Sequence, residues 1–323
     1  MPLPTASPWA VRVARVGRTD VVVSASCLVV VALIALAFAP RADALVPGLG
    51  PVSLLAGVAV GVLVYAAALV HEGAHAVLAR RHGHEVPTIV LAAAGGRTRV
   101  TGESAGPREE ATTAIAGPAV SLVIGAAALG GRLLVDDGVP ALALEAVVLA
   151  NLLIGLLDLV PSPPLDGGRL VRALAWHLTG SRARGSLVAA WTGRATAVVL
   201  GVTPVLTAAV TGAPASLSVW AVCLGLGLLA WAASSAELGF DRLRARVEGL
   251  PVADLARPLS PVVPSVPPRT DPSTLPTLPY GATADEVLVA LVRRREDHLL
   301  VDETGARRGL LSLADLEKMG PTR

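Results

Sequence analysis

Val62-Leu63-Val64-Tyr65-Ala66-Ala67-Ala68-Leu69-Val70-His71-Glu72-Gly73-Ala74-His75 sets two histidines and a glutamate at the end of an otherwise apolar run. The segment around it, residues 52–78, is long enough to cross a hydrocarbon core, which takes about 20 residues. His71-Glu72-Gly73-Ala74-His75 matches the H-E-x-x-H pattern, and residues 76–80 remain compatible with a helix. Residues four apart on a helix share a face, so His71 and His75 can turn imidazole nitrogens toward one metal ion. Glu72 lies beside that face, where it can take a proton from water acidified by zinc. Two histidines and a glutamate are costly to bury in an apolar segment without a partner, which sets this match apart from a chance one.

The rest of the chain reads as membrane protein. Of its 323 residues 53% are hydrophobic and 16% charged, too apolar for a soluble domain of this size. The formal net charge is only +2, with basic residues scattered near the ends of apolar segments, so no nucleic-acid-binding face is expected. Six spans are expected at residues 21–40, 52–78, 111–131, 139–160, 187–210 and 217–235. The first lacks a small-residue cleavage site and reads as a retained anchor. Arg12, Arg15 and Arg18, then Arg80 and Arg81, then Arg169, Arg172, Arg182 and Arg184, then Arg242, Arg244 and Arg246 fall on one side of the membrane. By the positive-inside rule that side, with both termini, is cytoplasmic. Lys318 is the only lysine, an arginine bias that points to a GC-rich bacterial genome and hence a bacterial cytoplasmic membrane. Cys27 and Cys223 lie in separate apolar stretches and read as small buried residues, not as a disulfide.

Residues 1–20 read as a cytoplasmic tail, 21–236 as the membrane domain, 237–249 as an arginine-rich amphipathic linker, and 250–323 as a small soluble module. Prolines make residues 258–279 a linker or extended loop. Beyond it, residues 284–295 carry helical spacing in Val287, Leu288, Leu291 and Val292. Residues 298–301 and 309–312 read as strands, and 313–319 as a helix, giving an α+β unit.

Catalytic zinc usually has three protein ligands and an open position, so a third must come from outside the helix. The candidate is Asp166, in Pro163-Pro164-Leu165-Asp166-Gly167-Gly168-Arg169, where prolines and glycines interrupt the helix and let the backbone return a carboxylate toward the second span. The other reading of Asp166 is a cap on a helix over residues 169–178, through an Asx turn. Gly95-Gly96, flanked by Thr88, Ile89 and Val90 and by Thr98 and Val100, looks like a hairpin. It reads either as a tight loop or as an edge that pairs with an unwound substrate strand.

With both motifs in view, the chain resembles the site-2 protease family of intramembrane metalloproteases, known by an H-E-x-x-H helix and a distant L-D-G motif. The resemblance runs from about Val52 to Leu178 and includes Ala94-Gly95-Gly96, like the family's glycine-bearing segment, and Glu110 through Ala116-Gly117-Pro118, like its third-span entry. It implies zinc ligands at His71, His75 and Asp166, a general base at Glu72, and hydrolysis of peptide bonds in transmembrane segments of a membrane-anchored regulator. One departure stands out: where the family commonly has Asn in N-x-x-P-x-x-P-L-D-G, this chain has Asp158. The family's Asn assists the substrate or oxyanion; an Asp does so only when protonated or through a bridging water. Asn151 is a second polar candidate for that role, or else interhelical glue.

The tail resembles a CBS motif, with Val252-Ala253-Asp254-Leu255 at its start and Gly309-Leu310-Leu311-Ser312-Leu313-Ala314-Asp315 later. That resemblance implies pairing of two chains through their tails and an adenine nucleotide at Ser312 and Asp315, unless Ser312 only caps the last helix. His82, His84, His177 and His298 lack ligand-like spacing and read as surface residues. The expected fold is thus an α-helical multi-pass membrane protein of about six transmembrane helices with a small cytoplasmic CBS-like α+β domain. Two other functions fit part of this pattern: a CBS-gated membrane transporter, and a non-catalytic membrane scaffold of protease ancestry.

Overall fold

Gly57 and Gly61, one turn apart in the second expected span, decide how the first two long helices meet. A computed structural model describes residues 9–93 and 95–247, and from the rest of the chain 257–258, 277–279, Val287, Leu291, 298–301 and 307–311. The chain divides into two compact units, 1–234 and 235–323. In the first, helices α1 (Ser26–Leu45) and α2 (Ser53–Arg81) approach so closely that a Cβ on Gly57 would strike the Ala35 backbone. One on Gly61 would lie 3.1 Å from the Val31 Cα. Small residues at helix contacts are how membrane helices gain packing without a hydrophobic driving force between them. α3 (Pro107–Arg132) and α4 (Val139–Asp158) meet the same way, Gly125 against Leu152 and Gly155 against Leu122.

Large apolar side chains point the other way. Leu28, Leu33 and Leu36 on α1 and Leu149, Leu153 and Leu156 on α4 are exposed, as are Val198, Val199 and Leu206 on α6 (Arg182–Thr211). Buried alanines inside and exposed leucines outside suit a lipid surround and would be an aggregation hazard in water. Among the described residues six helices are long and apolar enough to cross a membrane: α1, α2 with its preceding turn, α3, α4, α6, and residues Leu217–Phe240 of α7 (Leu217–Val247). The protein is a mostly helical, multi-pass membrane protein, as expected.

A four-stranded sheet flanks this bundle, in order β1-β2-β3-β4, with β1 Ala10–Val16, β2 Thr19–Ser24, β3 Thr88–Ala92 and β4 Gly95–Arg99. β1 and β2, like β3 and β4, pair antiparallel; β2 and β3 run parallel. The β1–β2 hairpin corrects two expectations. Residues 10–24 are strands rather than a tail running into a span, and the first long helix begins at Ser26 rather than Val21. The cause is local: Val21, Val22 and Val23 count as apolar in any hydropathy window, yet their β-branched side chains favour a strand, and they pair with Ile89, Val90 and Leu91. The expected hairpin around Gly95-Gly96 is present, with Gly95 at φ +103°.

Asp166 opens a short helix, α5 (Asp166–Thr179), that is not among the candidate spans. A Cβ on Gly167 would strike the Leu159 and Val160 carbonyls, and one on Gly168 would lie 2.5 Å from the Pro163 nitrogen. The two glycines therefore let α5 start tight against the proline loop 159–165.

In the second unit, β5 (Arg257–Pro258), β6 (Thr277–Pro279), β7 (His298–Val301) and β8 (Arg307–Leu311) form a sheet in the order β5-β8-β7-β6. The two expected strands are β7 and β8. The ends of the stretch expected to be a linker are strands as well, and Pro258 and Pro279 lie on the two edge strands, where a missing N–H costs least. Val287 and Leu291, one turn apart, are helical and fully buried. Residues 237–247 of the expected linker continue α7. Ser312 and Asp315 lie outside the described residues, as does Ala94.

Candidate metal centre

His71, Glu72 and His75 are 3%, 8% and 4% exposed, so the polar face of α2 is turned fully into the bundle. The His75 Nδ1–H donates to the Thr113 carbonyl of α3 at 2.7 Å, and the His71 Nδ1 meets Ser121 Oγ at 3.1 Å. With its Nδ1 proton committed to a carbonyl, a neutral His75 presents Nε2 as a bare acceptor. That atom lies 3.1 Å from His71 Nε2 and 2.8 Å from Asp166 Oδ2, and Asp166 Oδ2 lies 3.3 Å from His71 Nε2. Three acceptor atoms converging in a buried site repel one another unless a cation joins them.

The donor set, two imidazole nitrogens and a carboxylate oxygen, suits zinc. Space for an ion is also built in, since a Cβ on Gly117 of α3 would strike both Nε2 atoms. Among the described residues, His71, His75 and Asp166 form the one mutually close group of metal-ligating side chains. Asp166 does not cap its helix: the N-cap is Leu165 and no side-chain cap bond is made. The prolines and glycines of its loop instead aim the carboxylate at α2.

The other oxygen of Asp166 accepts from Arg169 Nη1 at 3.2 Å, and Arg169 Nε donates to Glu110 Oε1 at 3.1 Å. Glu110, only 3% exposed, also binds Arg172 and accepts from Ser104 Oγ at 2.7 Å. Burial alone would raise the Asp166 carboxyl, but the Arg169 guanidinium on Oδ1 favours its ionised form. It is ready to bind a metal as the anion.

Glu72 faces the β3–β4 hairpin. Thr98 Oγ1 lies 2.6 Å from Glu72 Oε2 and 3.0 Å from the Glu72 carbonyl, so its single proton chooses between them. A Cβ on Gly96 would come within 2.8 Å of Glu72 Oε1, so only glycine lets β4 lie this close. Tyr65 Oη donates to the Ala92 carbonyl at 3.2 Å and ties the hairpin to α2. Asp158, the last residue of α4, brings Oδ2 to 3.4 Å from His71 Nε2. Asn151 is buried two turns earlier, with Nδ2 on the Val147 carbonyl of its own helix and Oδ1 without a hydrogen-bond partner among the described residues.

His82 and His177 are exposed, and His84 pairs with Glu109, all away from the triad's hydrogen bonds. In sequence Thr98 stands out only as a hairpin flank, Thr113 and Ser121 do not stand out, and nothing joins Arg169 to Glu110. Thr113 acts through its backbone carbonyl and leaves no trace in residue type. Ser121, a hydroxyl in the middle of an apolar span, was the one available signal.

Fold and site together define a multi-pass helical membrane protein with a buried His-His-Asp centre next to a glutamate. No family model matches the chain. Relatives do: it is 42% identical over 151 residues to "Putative zinc metalloprotease Rip3" of Mycobacterium tuberculosis, an alignment covering 45% of this chain and 38% of that protein. It is 32% identical over 215 residues to "Putative zinc metalloprotease sll0528" of Synechocystis, covering 65% and 54%. It is 34% identical over 117 residues to "Zinc metalloprotease MJ0392" of Methanocaldococcus jannaschii, covering 35% and 33%. The chain thus spans about half or less of the length of these relatives, whose names, zinc metalloprotease, agree with the activity that the H-E-x-x-H and L-D-G motifs imply. Among solved structures it is similar to a site-2 protease from Methanocaldococcus jannaschii, with TM-score 0.49 and 19% identity over 71% of this chain and 95% of the other.

Proposed function

We propose that the protein is an intramembrane zinc metalloendopeptidase that hydrolyses peptide bonds in transmembrane segments of membrane-anchored proteins. The observation that carries this reading is the convergence of His71 Nε2, His75 Nε2 and Asp166 Oδ2 within 3.3 Å of one another, inside an apolar bundle and beside Glu72. The zinc metalloprotease names of the relatives support the same metal and the same reaction class.

His71, His75 and Asp166 are the residues that would hold zinc, which when bound supplies Lewis acidity toward a peptide carbonyl and a nucleophile from water near neutral pH. The chain's own residues do the rest. Thr113 and Ser121 fix the imidazoles so that both Nε2 atoms face the ion, and Arg169 steadies Asp166. Glu72 keeps Oε2 against Thr98, which leaves Oε1 to take the proton of the attacking water and pass it to the departing amine.

A helical substrate shields its scissile carbonyls in its own hydrogen bonds, so it must be opened before attack. β4 supports a way to do this: it lies at the end of the strand order β1-β2-β3-β4, beside Glu72, with one edge unpaired among the described strands. An unwound segment adding to that edge would present its carbonyls at Glu72, with Gly95 and Gly96 giving it room.

The test is cleavage of a single-span substrate by the purified full chain in detergent or vesicles. Glu72→Gln should abolish cleavage, a loss of at least about a thousandfold, while zinc content stays at the wild-type level. Near wild-type cleavage by that variant removes Glu72 as the base.

A further inference from the structure

Arg194 stands twelve residues into α6, about 18 Å along a candidate membrane span, where an ionised side chain is costly unless something receives it. Two indoles do. The Arg194 Cζ lies 5.1 Å from the ring centre of Trp191, one turn back on α6, and 4.9 Å from that of Trp231 on α7. Both distances fall within the roughly 6 Å over which a guanidinium is drawn to an aromatic face. Arg194 therefore clasps α7 to α6 at this level.

The neighbouring Gly193 shows what the clasp holds in place. A Cβ there would strike Ser234 Oγ, one turn beyond Trp231, and would lie 2.9 Å from both Ser162 Oγ and Pro163 Cδ of the loop 159–165. Ser162 and Ser234 are fully buried, and Ser234 Oγ makes no hydrogen bond among the described residues, so packing keeps it here. The loop is thus pressed from two sides, by Gly167 and Gly168 of α5 and by Gly193 and Ser234 of α6 and α7. It has little slack: Ser162 Oγ donates to the Pro163 carbonyl at 2.9 Å, the Leu165 N–H donates to the Ser162 carbonyl at 2.9 Å, and Asp166 is the next residue.

We infer that Gly193 and Arg194 of α6, with Trp231 and Ser234 of α7, form a buttress that sets the loop 159–165, and that they are positioning residues for Asp166 as a metal ligand. They act through Ser162 and Pro163. This rests on the zinc reading above and extends it to two helices that supply no ligand. A displacement at Pro163 would move the Asp166 carboxylate relative to two imidazoles that Thr113 and Ser121 hold in place, which is how a remote side chain changes metal affinity.

The experiment measures metal on the full chain in detergent, by chelator competition for zinc and by the visible spectrum of the cobalt-loaded protein. Gly193→Ala should raise the zinc dissociation constant about tenfold and shift the cobalt bands, because the new Cβ must displace Ser162 and Pro163. Gly201→Ala is the matched control: it puts the same methyl group on the same helix where nothing lies within 4 Å, and it should leave both readings at wild type. Trp231→Leu should also shift the bands, and Trp231→Phe, which keeps a ring for Arg194, should restore them. The spectrum reports only metal-bound molecules, so incomplete folding of a variant cannot produce a shift.

Zinc affinity within twofold of wild type together with an unchanged cobalt spectrum in Gly193→Ala overturns the buttress, as does an equal shift in Gly201→Ala. An unchanged spectrum in Trp231→Leu strikes Arg194 and Trp231 from it. If His75→Ala loses zinc in the same series, the metal reading stands even where the buttress falls. A wild-type protein that takes up no zinc overturns both.

Discussion

Glu145 and Glu110 are each held by a pair of arginines, at opposite ends of the bundle, and they do different work. Glu145 of α4 accepts from Arg41 of α1 at 2.9 and 2.8 Å and from Arg132 of α3 at 3.2 Å. Glu110 of α3 accepts from Arg169 at 3.1 Å and pairs with Arg172, both on α5. The chemistry is the same, but the carboxylates differ in burial: the Glu145 side chain is 21% exposed, the Glu110 side chain only 3%. The Glu145 cluster is screened by solvent and pins three helix ends together. Glu110 itself is walled off, and through Arg169 its cluster extends to Asp166. Burial thus turns a surface tie into a positioning device for the metal centre, because a buried charge without its partner is far costlier than an exposed one.

The largest effect should come from breaking the buried cluster. Glu110→Gln keeps size and an acceptor oxygen but removes the buried charge that Arg169 and Arg172 both face. It should cost about 3 kcal/mol of stability, the low end for a broken buried pair because Arg169 is about a third exposed. Thermal unfolding in detergent reads this, and an unchanged midpoint would mean that burial adds nothing here. Arg169→Ala is milder for the fold and more specific for the site. Asp166 loses the donor on Oδ1, so zinc affinity should fall about tenfold, measured by chelator competition. Wild-type affinity in that variant would cut the line from Glu110 to the metal.

How much of this the sequence carries depends on the range of the interaction. The H-E-x-x-H face is legible because a helix fixes the spacing of His71 and His75, and Asp166 because prolines and glycines announce an interrupted backbone. The long spans are legible from hydropathy alone, with ends near those observed from the second span onward. The β1–β2 hairpin is not, since Val21-Val22-Val23 serves a strand or a span equally well until Ile89–Leu91 supplies a partner strand far along the chain. The pairing of Glu110 with Arg169 joins residues 59 apart, and nothing in either residue's neighbourhood names the other. In sequence Arg169 reads as a positive charge near a membrane surface and as the start of a helix over residues 169–178. Its second role appears once Gly167 and Gly168 fold α5 against the proline loop.

The smallest effect belongs to the exposed cluster, and it tests the comparison from its other side. Arg41→Ala removes two hydrogen bonds to Glu145, by count more than the one that Arg169 gives Glu110. Yet Glu145 keeps Arg132 at 3.2 Å, and water can replace the Arg41 guanidinium at a site that is already half open. The thermal midpoint should therefore move by no more than about 2 °C, with zinc affinity and cleavage unchanged. Among the described residues Arg41 bonds only to Glu145 of α4, and α4 reaches His71 only at its far end, through Asp158. If Arg41→Ala instead unfolds the protein as readily as Glu110→Gln, hydrogen-bond number and not burial sets the strength of these clusters. If it lowers zinc affinity, α4 moves as a rigid rod between Glu145 and Asp158, and the two ends of the bundle are one mechanical unit.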